Sequence, residues 1–265
     1  MSDFRNIIVT GASGGFGSAL VAGLAQPGRT MLLLGRDQDR LAQARKIAIG
    51  AGAKAEVAAV PIEDHGAVAD IIATFDRVQP VDLIIAGAGV KCGNENGIEA
   101  DAQLSRVVDV NLTGTIAAIQ AVLPGMLERR QGRVAIVSSL AALSPQGCLL
   151  SYSATKAALQ GYAVALRRRC RGSGLGVTLI VPGFVETPMT ERHLGPTPFR
   201  MSPQKAAGIV IRGLEAGKGS IAFPLTLVAL ARLSALIPVR LADFLANRLD
   251  AKILPDDDEL AAGRG

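Results

Sequence analysis

The chain has 265 residues, of which 49% are hydrophobic and 19% charged, with a formal net charge of +5. This composition excludes an intrinsically disordered chain and supplies enough apolar surface for one or two domains. Aromatic residues make up only 3% and Trp is absent, so a nucleic-acid partner bound by base stacking is disfavoured. Three cysteines without a CxxC pair and only two histidines predict a reducing compartment and no metal site.

The N-terminus lacks a basic region followed by a long apolar segment, and no uncharged apolar stretch reaches 18 residues. We therefore expect no signal peptide, no membrane-spanning helix and a cytoplasmic protein.

Short apolar runs alternate with helical patterns along the chain. The predicted strands are Ile7–Thr10, Thr30–Leu34, Ala55–Val60, Val81–Ala86, Arg133–Ser138, Gly176–Val181 and Ser220–Phe223. The predicted helices lie near 16–26, 38–50, 65–77, 101–130, 152–171 and 203–216. Most of the strands are apolar without alternation, as in parallel strands buried on both faces. The pattern predicts a single α/β domain with a doubly wound parallel sheet of about seven strands.

We place the core of this domain at 1–222, a helical C-terminal extension at 223–252 and a disordered tail at 253–265. Residues 225–237 are mostly apolar and residues 239–250 form an amphipathic pattern. One interpretation is a helical hairpin packed on the body or on a second subunit. The alternative is a hydrophobic lid or membrane-surface contact through 224–250 that admits a lipid-like substrate.

A glycine-rich turn, Thr-Gly-Ala-Ser-Gly-Gly-Phe-Gly at 10–17, joins the first predicted strand to the first helix. Glycines there let the backbone approach a pyrophosphate at the helix N-terminus. A plain tight turn is the alternative. The candidate contacts are Gly11, Ser13, Gly14, Gly15, Phe16 and Gly17.

Tyr152 and Lys156 lie at i and i+4 and share a helix face. An ammonium beside a phenol lowers the phenol pKa, which suits acid/base chemistry; packing of the ring over the Lys stem is the alternative. Ser139 lies at the end of a predicted buried strand. Its side chain either faces a ligand crevice or caps a turn or helix. Asn111 sits inside a helix, where it predicts either a specific hydrogen bond or a satisfied core amide.

These motifs, with Pro-Gly-Phe-Val-Glu-Thr at 182–187, resemble the short-chain dehydrogenase/reductase family over about residues 5–222. The resemblance implies a Rossmann-type fold and hydride transfer with a nicotinamide cofactor. It also implies a homo-oligomer, a dimer or tetramer, with helices near 101–130 and 152–171 at the dimer interface.

The resemblance implies a role for each catalytic candidate. Tyr152 is then the general acid/base and Ser139 binds the substrate oxygen. Lys156 holds the nicotinamide ribose and lowers the pKa of Tyr152, while Asn111 positions a water that links Lys156 to solvent. Thr187 and the Val185 backbone contact the carboxamide. The remaining implied cofactor contacts are Ile62, Ala88, Gly89, Pro182 and Gly183.

The chain departs from the family pattern at two sites: Ala86-Gly87 replaces a pair of asparagines, and Pro61 replaces an aspartate near adenine. At the end of the second strand, Arg36 is placed to meet a 2′-phosphate, and Asp37 is placed to cap the next helix. This favours NADP(H). NAD(H) remains the alternative if Asp37 turns to the ribose.

We therefore predict an NAD(P)-dependent oxidoreductase that interconverts a carbonyl and a secondary alcohol of a small-molecule, hydrophobic or lipid-like substrate. The alternative is a catalytically inactive nucleotide-binding scaffold or sensor of the same fold.

Overall fold

The computed structural model describes residues 4–93, 98–234, 236–238, 240 and 251–255. Its strands are β1 (Asn6–Thr10), β2 (Thr30–Gly35), β3 (Lys54–Ala59), β4 (Leu83–Ala86), β5 (Gly132–Val137), β6 (Leu175–Pro182), β7 (His193–Leu194), β8 (Ser220–Phe223) and β9 (Lys252–Ile253). Seven of them form one parallel sheet in the order β3-β2-β1-β4-β5-β6-β8. All seven predicted strands are confirmed within two residues.

The helices are α1 (Gly15–Leu24), α2 (Gln38–Gly50), α3 (His65–Val78), α4 (Asp101–Val108), α5 (Thr115–Arg129), α6 (Leu150–Arg169), α7 (Pro188–Glu191), α8 (Pro203–Glu215) and α9 (Leu225–Ser234). They cover both faces of the sheet, because side chains of each central strand alternate between two apolar clusters. Ile7 and Val9 of β1 belong to the cluster with α1, α2 and α8, whereas Ile8 belongs to the cluster with α3, α5 and α6. The predicted doubly wound Rossmann-type fold is confirmed.

The strand order reverses between β1 and β4, and in open parallel sheets ligands bind in the crevice at the carboxyl ends of the strands on either side of such a reversal. The glycine-rich turn follows β1, and Ser139 follows β5 at the same edge. The fold thus brings the main candidate residues to one side of the molecule.

The helix predicted over 101–130 is confirmed as Asp101–Arg129, but its α-helical hydrogen bonding changes near the middle. A π-helical turn at Asp109–Gly114 separates α4 from α5 and carries the fully buried Asn111. By length and composition alone, Asp101–Arg129 is also apolar enough to cross a membrane. Its buried side chains, including Val107, Ile119 and Val122, pack in the core, so it serves as a core helix of this fold.

The C-terminal region follows the prediction only in part. Helix α9 is present, but the amphipathic segment 239–250 and the tail 256–265 lie outside the described residues apart from residue 240. The tail boundary at 253 was wrong, because β9 pairs antiparallel with β7 and Ile253 is 1% exposed. We call residues 251–255 the strap. Burial of its apolar side chains explains why it is ordered.

Candidate active site

At two positions of the glycine-rich turn, the backbone conformation or a neighbouring backbone atom requires glycine. Gly11 has a φ of 73°, and a Cβ there would lie 2.8 Å from the Gly87 carbonyl oxygen. A Cβ on Gly17 would overlap the Gly11 carbonyl oxygen. The backbone is therefore as tight as a phosphate-binding turn demands, and the N-terminus of α1 opens from it.

Thr10 ties this turn to the loop after β4. Its Oγ1 accepts hydrogen bonds from the backbone N–H groups of Gly87 (3.1 Å) and Ala88 (3.2 Å). Sequence reasoning missed this role of Thr10. These bonds hold the loop that follows β4 although Ala86 and Gly87 replace the asparagines of the family pattern.

The segment 182–187 crosses the other side of the turn. The Gly183 N–H donates to the Phe223 carbonyl at 2.7 Å, and Val185 bridges to Met201. Thr187 caps α7 by accepting from the Thr190 N–H at 3.3 Å. A Cβ on Gly15 would lie 3.1 Å from the Thr187 Cγ2. The structure thus brings the two predicted cofactor segments into contact.

At the end of β2, Asp37 caps α2. Its Oδ1 accepts from the Arg40 N–H at 2.9 Å, and its Oδ2 lies 2.8 Å from the Arg40 Nε. The predicted cap is confirmed, and it commits the Asp37 carboxylate to α2. Arg36 is exposed beside it. Ser13 reaches the same corner, because a Cβ on Gly35 would lie 2.6 Å from the Ser13 Oγ.

The expected adenine side lies at the end of β3. Ile62 is 8% exposed and belongs to a core cluster with Ala88. Asp64, the acidic residue three positions after Pro61, caps α3 by accepting from the Ala67 N–H at 3.1 Å. Apolar contact by Ile62 is the feature here that fits an adenine ring.

Asn111 is held in the π-helical turn by two bonds to one residue. Its Oδ1 accepts from the Val90 N–H at 2.7 Å, and its Nδ2 donates to the Val90 carbonyl at 2.8 Å. Its Nδ2 also lies 3.4 Å from the Thr155 Oγ1. A Cβ on Gly89 would lie 3.3 Å from both the Asn111 Oδ1 and the Lys156 Nζ. Asn111 therefore adjoins Lys156 and orders the loop after β4.

The two serines after β5 have different hydrogen-bond partners and different roles. Ser138 is 2% exposed and donates to the Lys156 carbonyl at 2.8 Å, so its role is structural. The Ser139 Oγ accepts from the Ala141 N–H at 3.1 Å and also hydrogen-bonds with Tyr152. Gln160, which sequence reasoning missed, donates to the Ser138 Oγ at 3.2 Å and fixes this corner.

Tyr152 and Lys156 do share a face of α6. The Lys156 Nζ lies 5.7 Å from the Tyr152 ring centroid and donates to the Val137 carbonyl at 3.1 Å. Burial lowers the pKa of Lys156 to about 8. Burial also raises the pKa of Tyr152, and the bond with Ser139 only partly offsets this. The Tyr152 pKa is therefore not lowered as expected from Lys156, because burial has the largest effect on it and the opposing effect comes from Ser139.

The residues fit a nicotinamide dinucleotide at the carboxyl ends of the strands. On one side of the site, a Cβ on Gly11 or Gly17 of the turn would overlap backbone atoms, and a Cβ on Gly183 would lie 2.8 Å from the Pro224 Cδ. Tyr152 and Lys156 lie at the other end of the site. Among the described residues, no group of three His, Cys, Asp or Glu side chains is placed to hold a metal ion.

Comparisons with known proteins agree with this geometry. The short chain dehydrogenase family model matches residues 5–195. An uncharacterized oxidoreductase of Myxococcus xanthus is 35% identical over 93% of this chain and 98% of its own. The 3-dehydrosphinganine reductase TSC10B of Arabidopsis thaliana is 32% identical over 82% of this chain and 69% of its own.

Among solved structures, a 3-oxoacyl (acyl-carrier-protein) reductase from Agrobacterium tumefaciens with NADP bound is similar. Its TM-score is 0.73 at 25% identity, with 82% of this chain and 92% of that chain covered. The match of the family model over most of the chain, together with the fold and the order of the site residues, establishes that this protein belongs to the short-chain dehydrogenase family.

Proposed function

We propose that this protein reduces a carbonyl group to a secondary alcohol, with Tyr152 as the general acid. One observation carries the proposal: the phenol of Tyr152 is buried, hydrogen-bonds with Ser139 and lies beside the Lys156 ammonium. A phenol holds its proton at neutral pH, and this is the form from which a general acid can protonate the substrate oxygen. A bound nicotinamide cofactor supplies the hydride.

The side chains divide the remaining work. The Ser139 Oγ hydrogen-bonds the substrate oxygen and presents it to the Tyr152 Oη, which gives up its proton to that oxygen. The Lys156 ammonium stabilises the phenolate that remains, because opposite charges attract strongly in a site with little water. Asn111 keeps the loop at 89–90 in place and thereby the space around Lys156.

Replacement of Tyr152 by Phe tests the mechanism. We expect kcat for reduction of a ketone panel to fall by about 10²- to 10⁴-fold, because general acid catalysis is removed. The matched control is Tyr162→Phe, since Tyr162 is the other tyrosine of the chain and lies on the same helix. Unchanged activity of the Tyr152 variant would refute the mechanism.

We further propose that NADPH is the preferred cofactor, with Arg36 as the partner of the 2′-phosphate. The Asp37 carboxylate binds Arg40 and the start of α2, and Arg36 is an exposed cation at the end of β2, where the ribose of a dinucleotide is expected. Arg36→Ala is expected to weaken NADPH binding by about 10- to 100-fold and to leave NADH binding unchanged.

Nicotinamide fluorescence measures both affinities without interference from Trp, which the chain lacks. Lys46→Ala, which removes an exposed cation from α2, controls for net charge. Tighter binding of NADH than of NADPH by the unaltered protein would overturn the assignment of Arg36. Binding of neither would favour the inactive scaffold.

The proposed substrate carries an apolar chain. Helix α9 packs on the turn that follows Ser139, and Leu230 and Leu233 on it are 62% and 61% exposed. Replacing both by Gln should lower kcat/KM for long-chain ketones and spare short ones. Equal effects on both would argue against a chain-binding role for α9.

A further inference from the structure

Two buried basic side chains lie outside the roles assigned so far. Lys91 and His193 are each 7% exposed, although basic residues rarely lie so deep without a partner. They approach each other closely enough that the charge of Lys91 lowers the pKa of His193, together with the larger effect of burial. Lys91 follows β4 and His193 lies in β7, so distant parts of the chain create this pair.

The strap holds the pair in place. Residues His193 and Leu194 pair with Ile253 and Lys252, and the Leu254 N–H donates to the Arg192 carbonyl at 2.8 Å. The Arg192 guanidinium in turn donates to the Lys91 carbonyl. A chain of hydrogen bonds thus runs from the strap through the backbone and guanidinium of Arg192 to the Lys91 carbonyl.

No acidic group balances these charges within the described part of the chain. The structure gives the Lys91 ammonium no hydrogen bond or ion pair there, and its charged neighbour is Arg192, a second cation. Burial and Arg192 lower the pKa of Lys91 to about 8. Among the same residues, the ring nitrogens of His193 are buried without a hydrogen bond of ordinary geometry, although the Pro196 backbone lies close enough to raise the His193 pKa slightly against burial. A buried imidazole without such a bond is costly unless something binds it.

The pair adjoins the catalytic tyrosine. Lys91 lies close enough to Cys148 for that side chain to influence the pKa of Lys91. Cys148 belongs to a small apolar cluster with Leu149 and Ile253, and the Tyr152 ring packs on that cluster. On its other side Lys91 follows Val90, whose backbone binds Asn111. The unbalanced charge therefore lies at the substrate end of the site.

We propose that Lys91, assisted by His193, binds an anionic group of the substrate, a carboxylate or a phosphate, while the substrate carbonyl lies at Tyr152. The proposal rests on the proposed function and names its substrate class: oxo compounds that carry an acidic group near the reacting carbon. Lys91 supplies the charge, His193 supplies a ring nitrogen, and Arg192 positions Lys91.

A matched set of ketones tests this site. The probes are 3-oxobutanoate, 4-oxopentanoate and 5-oxohexanoate, each compared with its methyl ester, and 2-oxopropylphosphonate for the phosphate alternative. Lys91→Met removes the charge and keeps the apolar stem. We expect kcat/KM for the best oxo acid or phosphonate to fall by about 10- to 100-fold while the esters are unaffected, because a charge-assisted hydrogen bond is lost.

Lys91→Arg should restore much of the preference, and Lys54→Met, at an exposed lysine, should leave it unchanged. An equal loss on acids and esters, or no loss on either, would overturn the proposal. If no ketone is reduced, the proposed function fails. Calorimetric binding of 3-oxobutanoate and 2-oxopropylphosphonate then still tests whether Lys91 binds an anionic group. Tighter binding of either by the unaltered protein than by Lys91→Met supports it, and equal binding of both refutes it.

Discussion

The two sides of the site are built in different ways. The glycine-rich turn and Ser139 follow directly from strands of the central sheet, whose register fixes their positions. The strap and β7 meet through a two-residue antiparallel pairing and one small apolar cluster. The first side tolerates almost no change of shape, whereas the second depends on few contacts.

This difference suits the cofactor and the substrate of the proposed reductase. A dinucleotide is the same in every turnover, so a rigid turn that excludes Cβ atoms can serve it. A substrate pocket varies between members of a fold family, and elements outside the sheet can change without disturbing the core. We expect the two sides to respond separately to substitution.

The largest effect should come from Gly17→Ala. The added Cβ would overlap the Gly11 carbonyl oxygen, which is backbone and cannot move without displacing the turn. We expect NADPH affinity to fall by more than about 100-fold, because a misplaced turn loses its backbone contacts to phosphate. Gly161→Ala is the control, since its Cβ would meet nothing within 4 Å. Equal affinity of both variants would show that the turn is not rigid.

The next effect concerns the two buried lysines, one on each side of the site. Folding moves the pKa of Lys156 and of Lys91 from 10.5 to about 8, which corresponds to about 3 kcal/mol for each. Between pH 8 and 10.5 the folded lysine is neutral while the unfolded one still holds its proton. The free energy of unfolding should therefore rise with pH in this window.

Urea denaturation from pH 7 to 10.5 measures this rise. In Lys156→Met, where Tyr152 is the polar neighbour of the lost group, the rise should shrink. It should shrink equally in Lys91→Met, which faces Arg192, Cys148 and His193. Lys54→Met is the control. The free energy of unfolding of Lys156→Met or of Lys91→Met is subtracted from that of the unaltered protein at each pH. If the difference fell between pH 8 and 10.5, it would contradict burial of these charges.

The same difference between the two sides explains which features could be predicted from the sequence. The strands, the glycine-rich turn and the cap at Asp37 were predictable because each depends on neighbouring residues. Pairing of the strap with β7 was not, since His193 and Ile253 lie 60 positions apart and two-residue strands carry no pattern. The raised pKa of Tyr152 was also missed. Its sign depends on burial, which the spacing of Tyr152 and Lys156 does not reveal.

A smaller effect is expected for Ile253→Ala, which tests whether the strap is separable. Ile253 is 1% exposed within a cluster of few members, so the loss should be about 2 kcal/mol, at the low end for a buried Ile. Amide hydrogen exchange should accelerate at 192–194 and 252–254, and KM for the ketone should rise. NADPH affinity should not change. Ile98→Ala, at a residue 82% exposed, is the control.

If NADPH affinity fell as much as ketone affinity in Ile253→Ala, the two sides would be coupled, and the strap would belong to the rigid part of the site.

The smallest effect is expected for Asp37→Ala on the cofactor side. Loss of the bond from the Arg40 N–H should cost about 1 kcal/mol of unfolding free energy, the usual value for a helix cap. Asp37→Asn keeps a side-chain oxygen at the cap and should retain most of it. Because the carboxylate is already committed to α2, neither variant should alter the ratio of NADPH to NADH affinity. A tenfold loss of NADH affinity in Asp37→Ala would instead place the Asp37 carboxylate at the ribose. The end of β2 would then change its contacts on binding, and the cofactor side would be no more rigid than the strap.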